Sequence, residues 1–143
     1  MREVHISEIT ETVARLSQEA NYYLPEDVVD ALKKARLKEE APRAQKVLDM
    51  ILRNSEIAEE KQIALCQDTG TTVLFLEIGQ DLHIIGGDLT SALAEGVRQG
   101  YKEGFLRNSI VSQPFSARIN TGDNGPPIVH TDIVSGESLK ITI

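Results

Sequence analysis

The 143-residue sequence contains one cysteine, Cys66. A single thiol excludes an intrachain disulfide and fits a reducing, cytoplasmic setting. Basic residues are outnumbered: 15 Lys and Arg stand against 22 Asp and Glu, for a net charge of −7. The clustered cations that a nucleic-acid backbone would demand are therefore missing. Long apolar runs are missing too. Nothing approaches the roughly 18 consecutive apolar residues of a membrane span, and the opening Met1-Arg2-Glu3-Val4-His5 lacks the apolar core of a secretory leader. The remaining composition, 41% hydrophobic and 26% charged, is that of a globular protein. The length suits a single domain over residues 1–143 with a core of its own.

Periodicity predicts helices first and a mixture afterwards. Ile6, Ile9, Val13, Leu16 and Ala20 recur at spacings of three and four, with Ser7 as N-cap and Glu8 and Glu11 in the first turn. Pro25 opens a second helix with acids at its start and Lys33, Lys34, Arg36 and Lys38 at its end. Its expected buried stripe is Val28, Leu32 and Ala35. Pro42 opens a third helix carrying Val47, Leu48, Ile51 and Leu52, with a break and restart expected at Asn54-Ser55. Thr71 to Ile78 reads as a buried strand ending at Gly79, and His83-Ile84-Ile85 as a second. Asp88 caps a long helix running to about Arg107. Leu89, Leu93, Val97, Tyr101 and Phe105 form one stripe of it, and Gly96, Gly100 and Gly104 another. Three glycines on one face, each costing roughly 1 kcal/mol against Ala, imply that another backbone packs closely there. Residues 120–127 are turn formers. Ile128 to Val134 and Leu139 to Ile143 read as strands. The fold class is α+β, with N-terminal helices packed on a mixed β-sheet.

The chemistry concentrates in Cys66-Gln67-Asp68-Thr69-Gly70-Thr71. Six residues set a thiol, an amide, a carboxylate and a hydroxyl beside a glycine, between Ile63-Ala64-Leu65 and Val73-Leu74-Phe75-Leu76. Taken alone, Cys66 reads as a small buried hydrophobe and Asp68 as an Asx-turn. A strand-to-turn junction, however, is where ligands gather in sheets flanked by helices. A single thiolate cannot hold a metal centre by itself. Asp68-Thr69-Gly70 is also the triplet of aspartic proteases, and Ile84-Ile85-Gly86 resembles a supporting element of the retroviral type. Those proteases are nearly all β, whereas sixty helical residues precede this triplet.

The longer pattern resembles the first cluster-binding segment of the class I fumarase and L-tartrate dehydratase family, the iron–sulfur hydro-lyases of the alpha type. The resemblance continues, in order, through Ala20-Asn21-Tyr22-Tyr23-Leu24-Pro25-Glu26-Asp27-Val28, the Asn54 region, Gly100-Tyr101, Leu106-Arg107-Asn108-Ser109 and Asn120-Thr121-Gly122-Asp123-Asn124. It covers essentially the whole chain. It implies a [4Fe–4S] cluster held by three cysteines, with one iron left to bind a substrate carboxylate and the hydroxyl lost or gained. Cys66 matches the first cluster cysteine. Gln67 and Asp68 match substrate-binding residues, with Asp68 also catalytic in proton transfer. Arg107 matches a ligand of the substrate carboxylate, a role suited to its fork; read without the resemblance, it is a helix C-terminal cation.

The resemblance further implies a small dicarboxylate substrate, fumarate to malate foremost (a tricarboxylic acid cycle reaction) with tartrate as the second choice. It implies partners as well: the remainder of an alpha subunit with the other cysteines, and a beta subunit or fused C-terminal domain, in a homo- or hetero-oligomer. The family's acid–base histidine lies outside the matched portion, so His130 reads as a half-buried strand residue, and His5 and His83 as structural or solvent-exposed. Because the sequence stops on an apolar strand, it is expected to be the N-terminal part of such a subunit, inactive alone. Two rivals stand beside this reading. One is a non-catalytic interaction module that keeps the fold, and the other is an aspartic-protease-like dimer using Asp68.

Overall fold

The computed structural model describes residues 2–66 and 70–143. The element order is β1 (Arg2–His5), α1 (Ile6–Tyr22), α2 (Glu26–Lys38), α3 (Pro42–Lys61), β2 (Val73–Gly79), β3 (Leu82–Ile85), α4 (Leu89–Glu103), β4 (Val111–Ser112), β5 (Ile119–Asn120), β6 (Ile128–Val134) and β7 (Leu139–Thr142). This is an α+β architecture with a mixed sheet, as the periodicity predicts. The chain divides into two compact units, one of Met1–Gln18 with Asp68–Ile143 and the other of Glu19–Gln67.

The larger unit is built on β2, the central strand of a three-stranded sheet in the order β6-β2-β7. β6 runs parallel to β2, with Val73 opposite Ile128 and Gly79 opposite Val134. β7 runs antiparallel, with Phe75 opposite Thr142. The alternation of a strand puts Leu74 and Leu76 on one face, and both are buried. Phe75 faces the other way, where its ring stacks on His130 with centroids 5.0 Å apart. His130 is exposed rather than half-buried, because it lies on that open face of an edge strand. A strand that the sequence does not announce, β1, pairs in parallel with β3. Only Val4 of its four residues is buried, too little alternation to register as a pattern.

Helix α1 begins at Ile6, and the acceptor for the Ser7 N–H is His5 Nδ1 at 3.2 Å. The cap is thus supplied by His5, and Ser7 already lies inside the helix. Asp88 behaves as expected: its Oδ1 accepts from the Ser91 N–H at 2.7 Å and starts α4. Hydrogen bonding from the Ser91 side chain, then from the Ser91 and Thr90 N–H groups, holds its carboxyl below the ordinary carboxylate value. Leu93, Val97 and Tyr101 of the predicted stripe are buried. Phe105 is not; it is 93% exposed, because α4 stops at Glu103, Gly104 caps it, and Phe105 adopts a left-handed φ of 52°. That reversal sends Leu106 back into the core, where its N–H donates to Tyr101 O at 2.9 Å.

The glycine stripe does what its spacing predicts. A Cβ on Gly96 would lie 2.7 Å from Thr10 O and from Val13 Cβ. One on Gly100 would lie 2.6 Å from Ala14 O and 2.8 Å from Ser17 Cβ. Helices α1 and α4 therefore meet backbone to backbone, and Thr10 Oγ1 donates to Ala92 O at 3.1 Å across the same seam.

In the smaller unit α2 packs along α3, and Arg36 Nε meets Asp49 Oδ1 at 2.6 Å. The expected buried stripe of α2 is absent: none of its residues is buried, and Val28 is 39% exposed. Helix α3 also runs unbroken through Asn54-Ser55. Ser55 Oγ bonds back to Leu52 O at 2.7 Å, so its hydroxyl is absorbed within the helix instead of breaking it. Of its apolar residues, Val47 and Ile51 are exposed while Ala58 is buried. The helix ends where Gln62 turns left-handed.

Gly100→Ala is expected to lower stability despite Ala's better helix propensity. The loss should be about 1–3 kcal/mol, since the contact atoms include backbone that cannot move aside. The midpoint of urea unfolding measures it, and an unchanged midpoint would contradict backbone contact at this seam.

Candidate functional site

The loop after α4 carries the first site element. Arg107 is exposed and stands four residues beyond the end of α4. It is therefore not the last-turn cation that the macrodipole favours. Residues 107–110 are instead tied to the turn-forming run 119–125. Strands β4 and β5 pair, with Val111 opposite Asn120, and Thr121 N–H donates to Ile110 O at 3.0 Å. Asn120 Nδ2 donates to Asn108 O at 2.9 Å, Asn108 Nδ2 to Gly122 O at 2.9 Å, and Gly122 N–H returns to Asn120 Oδ1 at 2.7 Å.

Asn124 is the centre of this network and is fully buried. Its Oδ1 accepts from the N–H groups of Ser109 at 2.7 Å and Ile110 at 3.2 Å. Its Nδ2 donates to Gly70 O at 3.1 Å. A left-handed φ of 55° aims the side chain, a conformation asparagine tolerates better than most residues. One carboxamide thus joins the segment after Arg107 to the glycine that closes the Cys-Gln-Asp-Thr-Gly run. Beside it, Thr72 Oγ1 donates to the Tyr101 hydroxyl at 3.3 Å in a buried pair.

A cavity of about 390 Å³ opens on the same loops, lined by Arg98, Lys102, Asn108 and Asp123 among others. Asn108 Oδ1 is buried there, with no hydrogen-bond partner among the described residues. Arg98 is bonded to Glu95 by both Nε and Nη2. These bonds and one from Gln99 hold the Glu95 carboxyl down at about 2.

Cys66 lies in the smaller unit and is exposed, which sets aside its reading as a buried hydrophobe. Its N–H donates to Asn54 Oδ1 at 2.9 Å, so Asn54 on α3 fixes the start of the motif. Leu65 N–H donates to Asn21 O at 2.8 Å, and Gln62 Nε2 to the Tyr23 hydroxyl at 2.7 Å. Cys66 also borders a groove of about 630 Å³ with Val47, Met50, Ile51 and Ile57. Gln67 and Asp68, expected to contact substrate, lie outside the described residues. Among the described residues no three His, Cys, Asp or Glu side chains gather as a metal site. Cys66 therefore fits a cluster as one of several ligands and not as its holder.

The sequence places Asn54 and Asn124 within segments of the family resemblance but assigns neither a role of its own. Asparagines in a turn-forming run read as turn residues, and only the repetition of Asn at 108, 120 and 124 hints that carboxamides bridge the loops.

A family model described as "Fumarate hydratase (Fumerase)" matches residues 10–143. The match takes in every element of this site, and the chain belongs to that family. It is 38% identical over 122 residues to the "Putative L(+)-tartrate dehydratase subunit alpha" of Methanocaldococcus jannaschii, covering 82% of this chain and 42% of that protein. It is 29% identical over 142 residues to the "L(+)-tartrate dehydratase subunit alpha" of Escherichia coli (strain UTI89 / UPEC), covering 96% of this chain and 46% of that protein. For the same subunit of Escherichia coli (strain K12), identity is 29% over 132 residues. The chain spans less than half the length of these relatives.

The depressed Glu95 carboxyl gives a pH prediction. A folded-state value of about 2, below the ordinary 4.5, adds stability above pH 4.5 that is lost as pH falls toward 2. The pair is partly exposed, so the effect is small. Thermal unfolding between pH 5 and pH 2 should show a shallower acid decline for Glu95→Gln than for the parent (both limits bracketing the shift); an identical decline would contradict the assignment.

Proposed function

We propose that this chain is the N-terminal part of the alpha-type portion of a hydro-lyase that adds water to, and removes it from, a small dicarboxylic acid. The observation that carries this reading is the family match across residues 10–143, which includes Cys66-Gln67-Asp68-Thr69-Gly70 and Arg107. Fumarate to malate is the first substrate assignment. L-Tartrate is the second, favoured by the names of the relatives. Both reactions move the elements of water across one carbon–carbon bond, and both substrates carry two carboxylates.

In this reading Arg107 binds one substrate carboxylate through its guanidinium fork, and Gln67 orients the substrate beside it. Asp68 exchanges the proton on the carbon next to the carboxylate. The exposed Cys66 thiol would provide one ligand of a [4Fe–4S] cluster, whose remaining cysteine ligands lie in other parts of the assembly, because this chain has a single cysteine. When bound, such a cluster supplies Lewis acidity toward the departing or arriving hydroxyl. The rest of the alpha portion and a beta portion, fused or separate, complete the enzyme, which is assigned to the cytoplasm.

Anaerobic reconstitution of the assembled enzyme with iron and sulfide, followed by fumarate and tartrate assays, tests the proposal. Cys66→Ser should lose iron and activity together. Arg107→Ala should raise KM and reduce kcat/KM by about 10²-fold or more, the loss of a charge-assisted bidentate contact. Full activity in Cys66→Ser and Arg107→Ala would overturn the catalytic role of this chain and favour an interaction module.

A further inference from the structure

We infer that the exposed apolar stripe of α3 is a homodimerisation surface, on which two copies of this chain pair α3 against α3, antiparallel, about a two-fold axis. The inference goes beyond the hydro-lyase reading and does not rest on it.

The stripe is built by helical spacing. Val47, Met50, Ile51 and Asn54 stand at i, i+3, i+4 and i+7, and Ile57 continues the row, so all five share one face of α3. Val47, Met50 and Ile51 are 51%, 64% and 41% exposed. The packing of the smaller unit uses a different face, for the buried residues of α3 are Ser55 and Ala58. The groove of about 630 Å³ along the row is lined by α3 and Cys66, all within that unit. A contiguous apolar row of this kind on a helix surface marks a contact with another protein surface.

Charge identifies the partner. Helices α2 and α3 pack as a hairpin across the short 39–41 connection, with Arg36 bonded to Asp49. Toward the connection stand Lys33, Lys34, Arg36, Lys38, Arg43 and Lys46; toward the open end stand Glu26, Asp27, Asp30, Glu56, Glu59 and Glu60. Glu39, Glu40 and Asp49 at the first end, and Arg53 and Lys61 at the second, reduce this difference without reversing it. Within α3 the order opposes the macrodipole, which favours acids in the first turn and bases in the last. Its first turn holds Arg43 and no acid, and Glu59 and Glu60 stand in its last turn beside Lys61. Helix α2 does not correct this, because a hairpin neighbour brings its own acidic start beside the acidic end of α3.

A second copy does correct it. Turned about a two-fold axis through the middle of the stripe, the acidic end of one hairpin lies along the basic end of the other, and the same contact is made twice. Lys46 and Glu60 are two heptads apart, so they flank the stripe on the same side. In the antiparallel pair each Lys46 therefore faces Glu60 of the second copy. A parallel pair would set like charge against like.

The oligomeric state of the full chain, followed by sedimentation velocity over a range of concentrations, tests the inference. The parent should dimerise. Met50→Glu, at the most exposed apolar position of the row, should leave helix content unchanged and weaken dimerisation about 10-fold or more, because it drives a carboxylate into the apolar contact. Lys46→Glu should weaken it about fivefold or more, since two pairs change sign together. Adding Glu60→Lys to Lys46→Glu should restore the parent affinity, a rescue that only the antiparallel arrangement produces. A chain that stays monomeric at every concentration overturns the inference and assigns the groove to another part of the assembly. A dimer indifferent to Met50→Glu and Lys46→Glu, or a Lys46→Glu loss that Glu60→Lys does not rescue, overturns it as well. In an assembled enzyme joined by further interfaces, Ile51→Cys in a Cys66→Ser background decides. A short bis-maleimide should link two copies through residue 51, and absence of that link in the assembly overturns the inference.

Discussion

Backbone polar groups that leave regular structure must find partners, and in the larger unit that requirement converges on one buried carboxamide. After α4 ends at Glu103, the chain from Arg107 to Ile110 is neither helix nor strand. Its N–H groups at 109 and 110 both donate to Asn124 Oδ1. Leaving such groups unpaired costs more than the hydrogen bond contributes when made, by about 1–3 kcal/mol per group. A buried side chain here takes the place of a strand as acceptor for irregular backbone. The Asn108 and Asn120 carboxamides repeat the device on the wetter side of the same loops.

The units differ in how they meet this requirement. In the larger one, backbone contact between α1 and α4 at Gly96 and Gly100 and the buried Leu74 and Leu76 of β2 give a dense interior. In the smaller one, α2 contributes no buried residue, and α3 leaves Val47, Met50 and Ile51 exposed beside Cys66. The Cys66 N–H, fastened to Asn54, sits at the border of that apolar groove. The Cys66 backbone is thus fixed by a hydrogen bond while its side chain stays exposed.

Much of this was legible in the sequence, and the exceptions have physical causes. The α+β class, the Asp88 cap and the strands at 73–79 and 128–134 followed from periodicity and turn formers. The glycine stripe of α4 correctly implied a backbone neighbour, although Gly104 became the helix cap. The break predicted at Asn54-Ser55 failed because propensity is a weak prior: Ser55 bonds within the helix and Asn54 turns its side chain to Cys66. The stripe of Val28, Leu32 and Ala35 was a genuine helical pattern, yet a pattern does not say what will cover it. Strand β1 was too short and polar to see. Arg107 and Cys66 were singled out by family resemblance, whereas the bonding of Asn124, quoted only as part of a matching segment, was not legible because it depends on contacts to residues far away in the chain.

The parallel pairing of β2 with β6 also acts as a gauge. The Thr72 carbonyl accepts from the Ile128 N–H at 2.9 Å at the entry of β2, and the Gly70 carbonyl, in a left-handed turn of φ 54° ahead of the strand, accepts from Asn124. The side-chain bond thus holds the turn that leads into the strand ladder. Because a slip of one residue turns a strand's side chains to the opposite face, the alternation that buries Leu74 and Leu76 also determines which residue meets the Asn124 amide. The hydrophobic interior thereby measures out a distance at the polar end of the sheet.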